Sequence, residues 1–272
     1  MPRIYHDLDP FLWQITDTFG IRWYSMAYLL GFLLTRWYLG RATDRGEILN
    51  MTQDRLDTWI LASFLGALLG ARFFHVFVFE YSHYGFDPMR WIAVWRGGLA
   101  YHGGLLGVVL ATYWFSRKYQ VPFLQVADRA VIPIAIALGA GRMANFINAE
   151  MPGTLYDGPF CVDYSMNPHL ARPPEGCRHP TQLYEMTKNW VLAGFLFLQL
   201  RRFRPRDGIV FWSFIGLYGA IRFSLMFLRD EERIFAGLTQ SQIFSGSMAL
   251  IAVIAITVLL RRPLSEPGRA KR

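Results

Sequence analysis

Apolar residues fall into long runs divided by short polar stretches. A bilayer core takes about 20 apolar residues per helix, with roughly 17–25 usable. Seven segments meet that length: about 23–39, 57–79, 99–116, 128–148, 184–200, 209–228 and 241–260. Several carry glycines and aromatics, as in Gly66, Gly70 and Phe73 through Phe79, and small residues let membrane helices approach closely. No internal repeat or low-complexity tract is visible. The first apolar run has no basic region before it and no small-residue cleavage site after it, so it reads as a retained helix. The pattern predicts an all-α polytopic membrane protein. It has seven transmembrane helices and a small irregular outer head, 149–183, between the fourth and fifth. The chain reads as one membrane domain over 1–272.

Composition agrees. Of 272 residues, 53% are hydrophobic and 18% charged, against about 25% charged in soluble domains. Mean hydropathy is +0.22. These values exclude disorder, collagen-like repeats and a disulfide-dense secreted module. The net charge of +8 is resolved by position. Sixteen basic residues fall in loop 36–55, around 117–129, in 201–206 and in the tail from Arg261. Nine fall on the other side: Arg3, Arg22, Arg90, Arg96, Arg172, Arg178, Lys188, Arg229 and Arg233. The positive-inside rule puts the N-terminus outside and the C-terminus in the cytoplasm. Six spans with one amphipathic segment would fit this bias less well. The charge is a topology signal, not one for nucleic acid. Both cysteines, Cys161 and Cys177, lie in the head, either bridged or as two unpaired thiols.

Three arginines remain inside spans: Arg72, Arg142 and Arg222. An arginine at mid-helix costs about 2.5–3.5 kcal/mol on insertion scales, so each needs a partner or a wet cavity. Counted from the outward ends of their spans, all three lie roughly 10 Å below the outer boundary, at 1.5 Å per residue. Acidic partners are scarce: Glu80, Glu150 and Glu185 at outer helix ends. Any one arginine can snorkel or pair with carbonyls. Three at one depth repel one another unless an anion is present. A guanidinium fork suits phosphate, so the reading is an outward pocket for an anionic lipid head group, with a substrate carboxylate as rival. His102 with Gly103 and Gly104, Tyr24, Asn145, Asn148 and Glu150 reach the same level. A lone histidine is more often a core residue, and a lone outer tyrosine an interface anchor.

The motif Gly141-Arg142-Met143-Ala144-Asn145-Phe146-Ile147-Asn148-Ala149-Glu150-Met151-Pro152-Gly153 resembles the signature of the prolipoprotein diacylglyceryl transferases. His102-Gly103-Gly104-Leu105, Arg178-His179-Pro180-Thr181-Gln182-Leu183-Tyr184-Glu185, Tyr218-Gly219-Ala220-Ile221-Arg222 and Arg22-Trp23-Tyr24 are similar to further family blocks, so the resemblance runs from about 20 to 260. One departure stands out. Many members carry a glutamate four residues after the sixth-span arginine, one helical turn away, and here that position is Met226. The run Asp230-Glu231-Glu232 either compensates or is a solvated loop.

The resemblance implies a multi-pass enzyme of the bacterial inner membrane acting at the outer leaflet. It implies transfer of diacylglyceryl from phosphatidylglycerol to the lipobox cysteine thiol in a preprolipoprotein signal peptide, with release of glycerol phosphate. The implied partners are these two substrates and membrane lipid. Arg142 with Asn145 would hold the head group, joined by Arg72, Asn148, Glu150, Gly103 and Gly104. Arg222 would stabilise the departing phosphate, Tyr24 would bond a lipid oxygen, and His102 would take the thiol proton, unless the arginines alone ionise it. No cofactor or metal is implied, since there is no ligand set and no phosphate loop. The competing readings are a non-catalytic lipid- or lipoprotein-binding relative and a transporter of anionic solutes. A channel is the weakest, because no ring of like residues is evident.

Overall fold

The computed structural model describes residues 3–14, 20–81, 85, 87–94, 97–170 and 172–261. Arg96 and the basic tail from Arg262 lie outside these residues. The chain is mostly helical: α1 Trp23–Asp44, α2 Gln53–Phe73, α3 Pro88–Ile92, α4 Tyr101–Tyr119, α5 Phe123–Ile147, α6 Thr181–Leu198, α7 Ile209–Leu225 and α8 Gln240–Arg261. α2 continues as a π-helical stretch, Phe74–Phe79, and α7 as a 3₁₀ turn, Met226–Leu228. A long helix coincides with every predicted segment. Four are long and apolar enough to cross a membrane: Gln53–Phe79, Phe123–Ile147, Ile209–Leu228 and Gln240–Arg261.

Boundaries differ from the apolar runs mainly by extension, although α4 starts only at Tyr101 and α5 ends at Ile147. α1 runs on to Asp44, α2 starts at Gln53 and α5 at Phe123. Backbone hydrogen bonding does not stop where hydrophobicity does, so helices extend into polar surroundings. Arg36, Arg41 and Arg55, expected in a loop, therefore lie on helices, Arg41 in the last turn of α1 and Arg55 in the first turn of α2. Thr52 caps α2 by accepting from the Arg55 amide at 3.3 Å, an ordinary N-cap bond. The short α3 had no signal in the hydrophobic pattern. It rests on local chemistry: Asp87 caps it by accepting from Met89 N at 3.0 Å, with Pro88 opening the helix.

The chain forms two compact units. One comprises Arg36–Val126 and the other the segments before Arg36 and after Val126. In the Arg36–Val126 unit, α2 and α4 pack through glycines. A Cβ on Gly66 would strike the Gly107 carbonyl, and one on Gly70 the Gly103 carbonyl. Two backbones this close admit no side chain, which is why small residues recur four apart on both helices. Trp59 Nε1 donates to Thr112 Oγ1 across the same contact at 3.1 Å.

In the other unit, α7 and α8 close on Gly219, whose Cβ would meet the Ser245 carbonyl. Asp128, near the start of α5, is buried. It accepts from the Gly208 and Phe211 amides at 2.6 and 2.7 Å and so satisfies two orphan donors at the start of α7. Between α5 and α6, strands β4 (Val162–Asp163) and β5 (Cys177–Arg178) pair antiparallel, and β1 (Ile4–Tyr5) joins β4 in parallel. Cys161 and Cys177 form a disulfide. Asp163 caps the turn after β4 through the Ser165 amide and hydroxyl, which hold its carboxyl below the usual range. Two hairpins complete the described chain: β2 (Phe11–Gln14) with β3 (Gly20–Arg22), and β6 (Arg233–Phe235) with β7 (Leu238–Thr239).

Candidate functional site

The 141–153 and 178–185 blocks are stitched together. α5 ends at Ile147, and the chain turns through Ala149 and Met151, both left-handed at φ 53° and 55°. Such backbone is costly for non-glycine residues and persists only where its surroundings enforce it. The start of α6 does so. Gln182 Nε2 donates to the Glu150 carbonyl at 2.6 Å and Thr181 Oγ1 to the Met151 carbonyl at 3.1 Å. Gly153 gives its amide to the His179 carbonyl (2.9 Å) and takes a bond from Arg178 Nη1 (3.1 Å). A Cβ there would meet the Leu228 carbonyl and the His179 and Thr181 side chains. His179 stacks on Tyr156 at 3.9 Å, and burial lowers its pKa.

This frame sets Glu185 one turn into α6, only 2% exposed. Its Oε1 takes Arg222 Nη1 of α7 at 2.9 Å, and Oε2 takes Arg142 Nε of α5 at 3.1 Å. Lys188 Nζ lies 3.6 Å from the same Oε2. Three cations thus face one carboxylate in a largely dry place. Ion pairs are stronger there than in water, but so is the penalty for any unmatched charge.

Arg142 also donates Nη1 to Asn145 Oδ1 at a long 3.3 Å, and Nη1 lies 3.9 Å from Met151 Sδ. Asn145 is buried and donates to Glu150 Oε2 at 2.7 Å, and Asn148 donates to Glu150 Oε1 at 3.2 Å. The amides thereby tie the turn to the arginine. Arg142, Met151, Thr181, Gln182, Glu185 and Arg229 line a narrow crevice here, too tight as it stands for a water-sized sphere. A guanidinium whose outer nitrogen meets a long amide bond and a thioether, beside a second guanidinium, is suited to an incoming oxyanion.

Of the sequence candidates in this unit, Arg142, Asn145, Asn148, Glu150 and Arg222 fall into one network. Tyr24 is half-buried at the start of α1, with its ring edge-on to Tyr28 at 5.1 Å. The Arg36–Val126 unit holds the others. Arg72 is buried and donates four bonds to backbone carbonyls: Trp91 (2.8 Å), Gly97 (2.6 Å), Gly98 (3.0 Å) and Arg90 (2.5 Å). It therefore binds the segment between α2 and α4. His102 is exposed in the first turn of α4, against Tyr101. Gly103 and Gly104 both turn toward α2, where the smallness of Gly103 is demanded by the Gly70 carbonyl and Phe74. Glu80 lies 3.6 Å from His75.

Sequence reasoning placed Lys188 among outer charges, but the structure buries it within α6. Glu185 was named only as a possible partner, and Arg229 only as an outer charge. Their signal was present: an acid and a lysine three apart in an otherwise apolar helix must share a face. Met226 is 1% exposed and leaves Arg222 with a carboxylate, since Glu185 supplies one from another helix. Glu231 lies 3.6 Å from Arg229.

The match to known proteins covers the chain. The family model for prolipoprotein diacylglyceryl transferase fits residues 10–258. A phosphatidylglycerol–prolipoprotein diacylglyceryl transferase of Pseudoalteromonas atlantica is 36% identical, over 97% of this chain and 94% of its own. The protein of that name from Chromohalobacter salexigens is 36% identical over 97% of each chain. One from Vibrio cholerae is 33% identical over 96% of this chain and 94% of its own. With three of its signature blocks meeting in one arginine–glutamate network, the chain belongs to the prolipoprotein diacylglyceryl transferase family.

Proposed function

We propose that this enzyme transfers the diacylglyceryl group of phosphatidylglycerol to the lipobox cysteine of a preprolipoprotein, the first step of lipoprotein maturation. The protein spans the bacterial inner membrane seven times, with its N-terminus outside, its C-terminus in the cytoplasm and its site at the outer leaflet. α1, α4 and α6 join the four more apolar helices as spans. The positive-inside bias supports this arrangement.

The observation that carries the reading is the pair Arg142 and Arg222 on one buried Glu185. Glu185 holds both guanidinium groups in place and offsets only part of their charge. Arg142 takes the lipid phosphate, oriented through Asn145. The substrate sulfur attacks the glycerol carbon that bears the phosphate ester. A carbon–sulfur bond forms, the carbon–oxygen bond breaks, and glycerol phosphate leaves with the bonding pair. Arg222 stabilises the charge that grows on that oxygen. Preorganised donors of this kind contribute about 3–4 kcal/mol each. The positive field also favours thiolate, whose parent thiol has a pKa of about 8.5 in water, and His102 accepts the proton. Tyr24 bonds a lipid oxygen. Arg72 serves by holding the segment between α2 and α4, and Gly103 and Gly104 by admitting α2, which replaces the direct lipid contact expected of these three.

The test is complementation of a transferase-depleted bacterium, with an assay using labelled phosphatidylglycerol and a lipobox peptide. Growth and labelled peptide are expected, and the absence of both overturns the reading. His102→Gln should transfer poorly and lose the parent's pH–rate profile. An unchanged profile removes histidine as the base.

A further inference from the structure

Below the arginine–glutamate pair lies a second buried polar layer that the proposed reaction does not use. Lys188 sits one turn further along α6 than Glu185, with its side chain 3% exposed. Its ammonium lies 3.9 Å from the ring centroid of Tyr218, itself one turn before Arg222 on α7. Among the described residues the ammonium has no hydrogen-bond partner within bonding geometry. A cation with three donors and no close acceptor is a poor means of holding helices together. A methionine of similar length would fill the space without desolvating a charge. The ring face makes the burial tolerable but does not explain why a charge is there.

Glu185 supplies the explanation. Its Oε2 is shared by Lys188 Nζ at 3.6 Å, Arg142 Nε at 3.1 Å and Arg222 Nη1 at 3.1 Å. Whatever share of that oxygen Lys188 draws is lost to Arg142. The remaining acceptors near Arg142 Nη1 are a long amide bond and a thioether. We propose that Lys188 is a positioning residue. It draws Glu185 toward itself and leaves Arg142 short of negative charge, so that the site binds the phosphate of its lipid more tightly. Lys188 acts through Glu185 without touching the lipid. The role rests on the reaction proposed above and adds a determinant of affinity for the anionic head group.

The experiment compares Lys188→Met, Lys188→Gln and the parent enzyme, purified in detergent at fixed ionic strength. Transfer kinetics are measured against phosphatidylglycerol, and sn-glycerol phosphate binding by calorimetry. Both variants are expected to raise KM about tenfold, or roughly 1.4 kcal/mol, with kcat within about twofold. Binding of sn-glycerol phosphate should weaken by the same factor, and thermal stability should hold or rise. Unchanged KM and unchanged phosphate binding in the folded variants overturn the role. So does a fall in kcat and stability together, which marks Lys188 as structural. A parent enzyme that binds sn-glycerol phosphate but transfers nothing overturns the proposed reaction instead, while the binding comparison still decides Lys188.

Discussion

Two arginine environments in this molecule differ in a way their sequence surroundings do not. Arg72 and Arg142 both sit a few residues from one end of an apolar run, and both look from sequence like intramembrane charges awaiting an anion. Arg72 spends four donors on backbone carbonyls between Arg90 and Gly98. Arg142 spends Nε on a carboxylate that it shares with Arg222 and Lys188. The first environment is closed: a charge with its donors on carbonyls organises a segment of chain. The second sets three cations on one carboxylate. The same residue type thus does structural work in one place and is proposed to present a binding face in the other, according to what surrounds its fork.

The sharpest way to break this comparison is at Arg142. Arg142→Ala should lower transfer by about 100- to 1,000-fold, the usual cost of one preorganised donor, while the protein inserts and folds. Near-normal transfer in membranes would remove its head-group role. Next comes the shared carboxylate. Glu185→Gln leaves three cations facing one another, and thermal unfolding in detergent should show a loss of about 3–5 kcal/mol. A stability equal to the parent's would mean that solvent, not Glu185, balances the cluster. Arg72→Lys tests the closed environment. It forfeits the fork that reaches four carbonyls and should cost about 1.5–3 kcal/mol, with KM for phosphatidylglycerol held within about twofold. If KM instead rises as much as in Arg142→Lys, the two sites are not different in kind.

The smallest effect concerns pH. His6 is 3% exposed, bonds the Phe146 carbonyl through Nε2 at 2.8 Å, and takes Asn167 Nδ2 on Nδ1 at 2.7 Å. Burial lowers its pKa from the ordinary 6.5. The unfolded state therefore binds the proton more readily than the folded one. The stability due to neutral His6 is complete above pH 6.5 and is lost as pH falls through the folded value. Protection of the β1 amides against hydrogen exchange, corrected for the intrinsic rate at each pH, should fall between pH 7 and pH 5. Equal protection at both values would show that His6 does not pin this strand.

The helices were legible because hydrophobicity is written locally, and a run of suitable length reports its own fate. The turn from Asn148 to Gly153 was legible as a motif but not as a shape. Its left-handed Ala149 and Met151 are imposed by hydrogen bonds from Thr181 and Gln182, some thirty residues away. Lys188 was misread for the opposite reason. Charge counting assigns a lysine near a helix end to water, whereas the neighbours Glu185 and Tyr218 keep this one inside.

The sequence by itself determined the apolar runs, the sidedness of the basic loops, the family blocks and the presence of charges too costly to leave unpartnered. These are properties of single segments and their transfer to lipid. Only the tertiary structure decided which charge answers which. It gave Arg72 to carbonyls, Arg142 and Arg222 to one glutamate, and Lys188 to a shared oxygen and a ring face. Electrostatic partnership depends on distances of a few ångströms between helices far apart in the chain, and that spacing exists only once their backbones have packed.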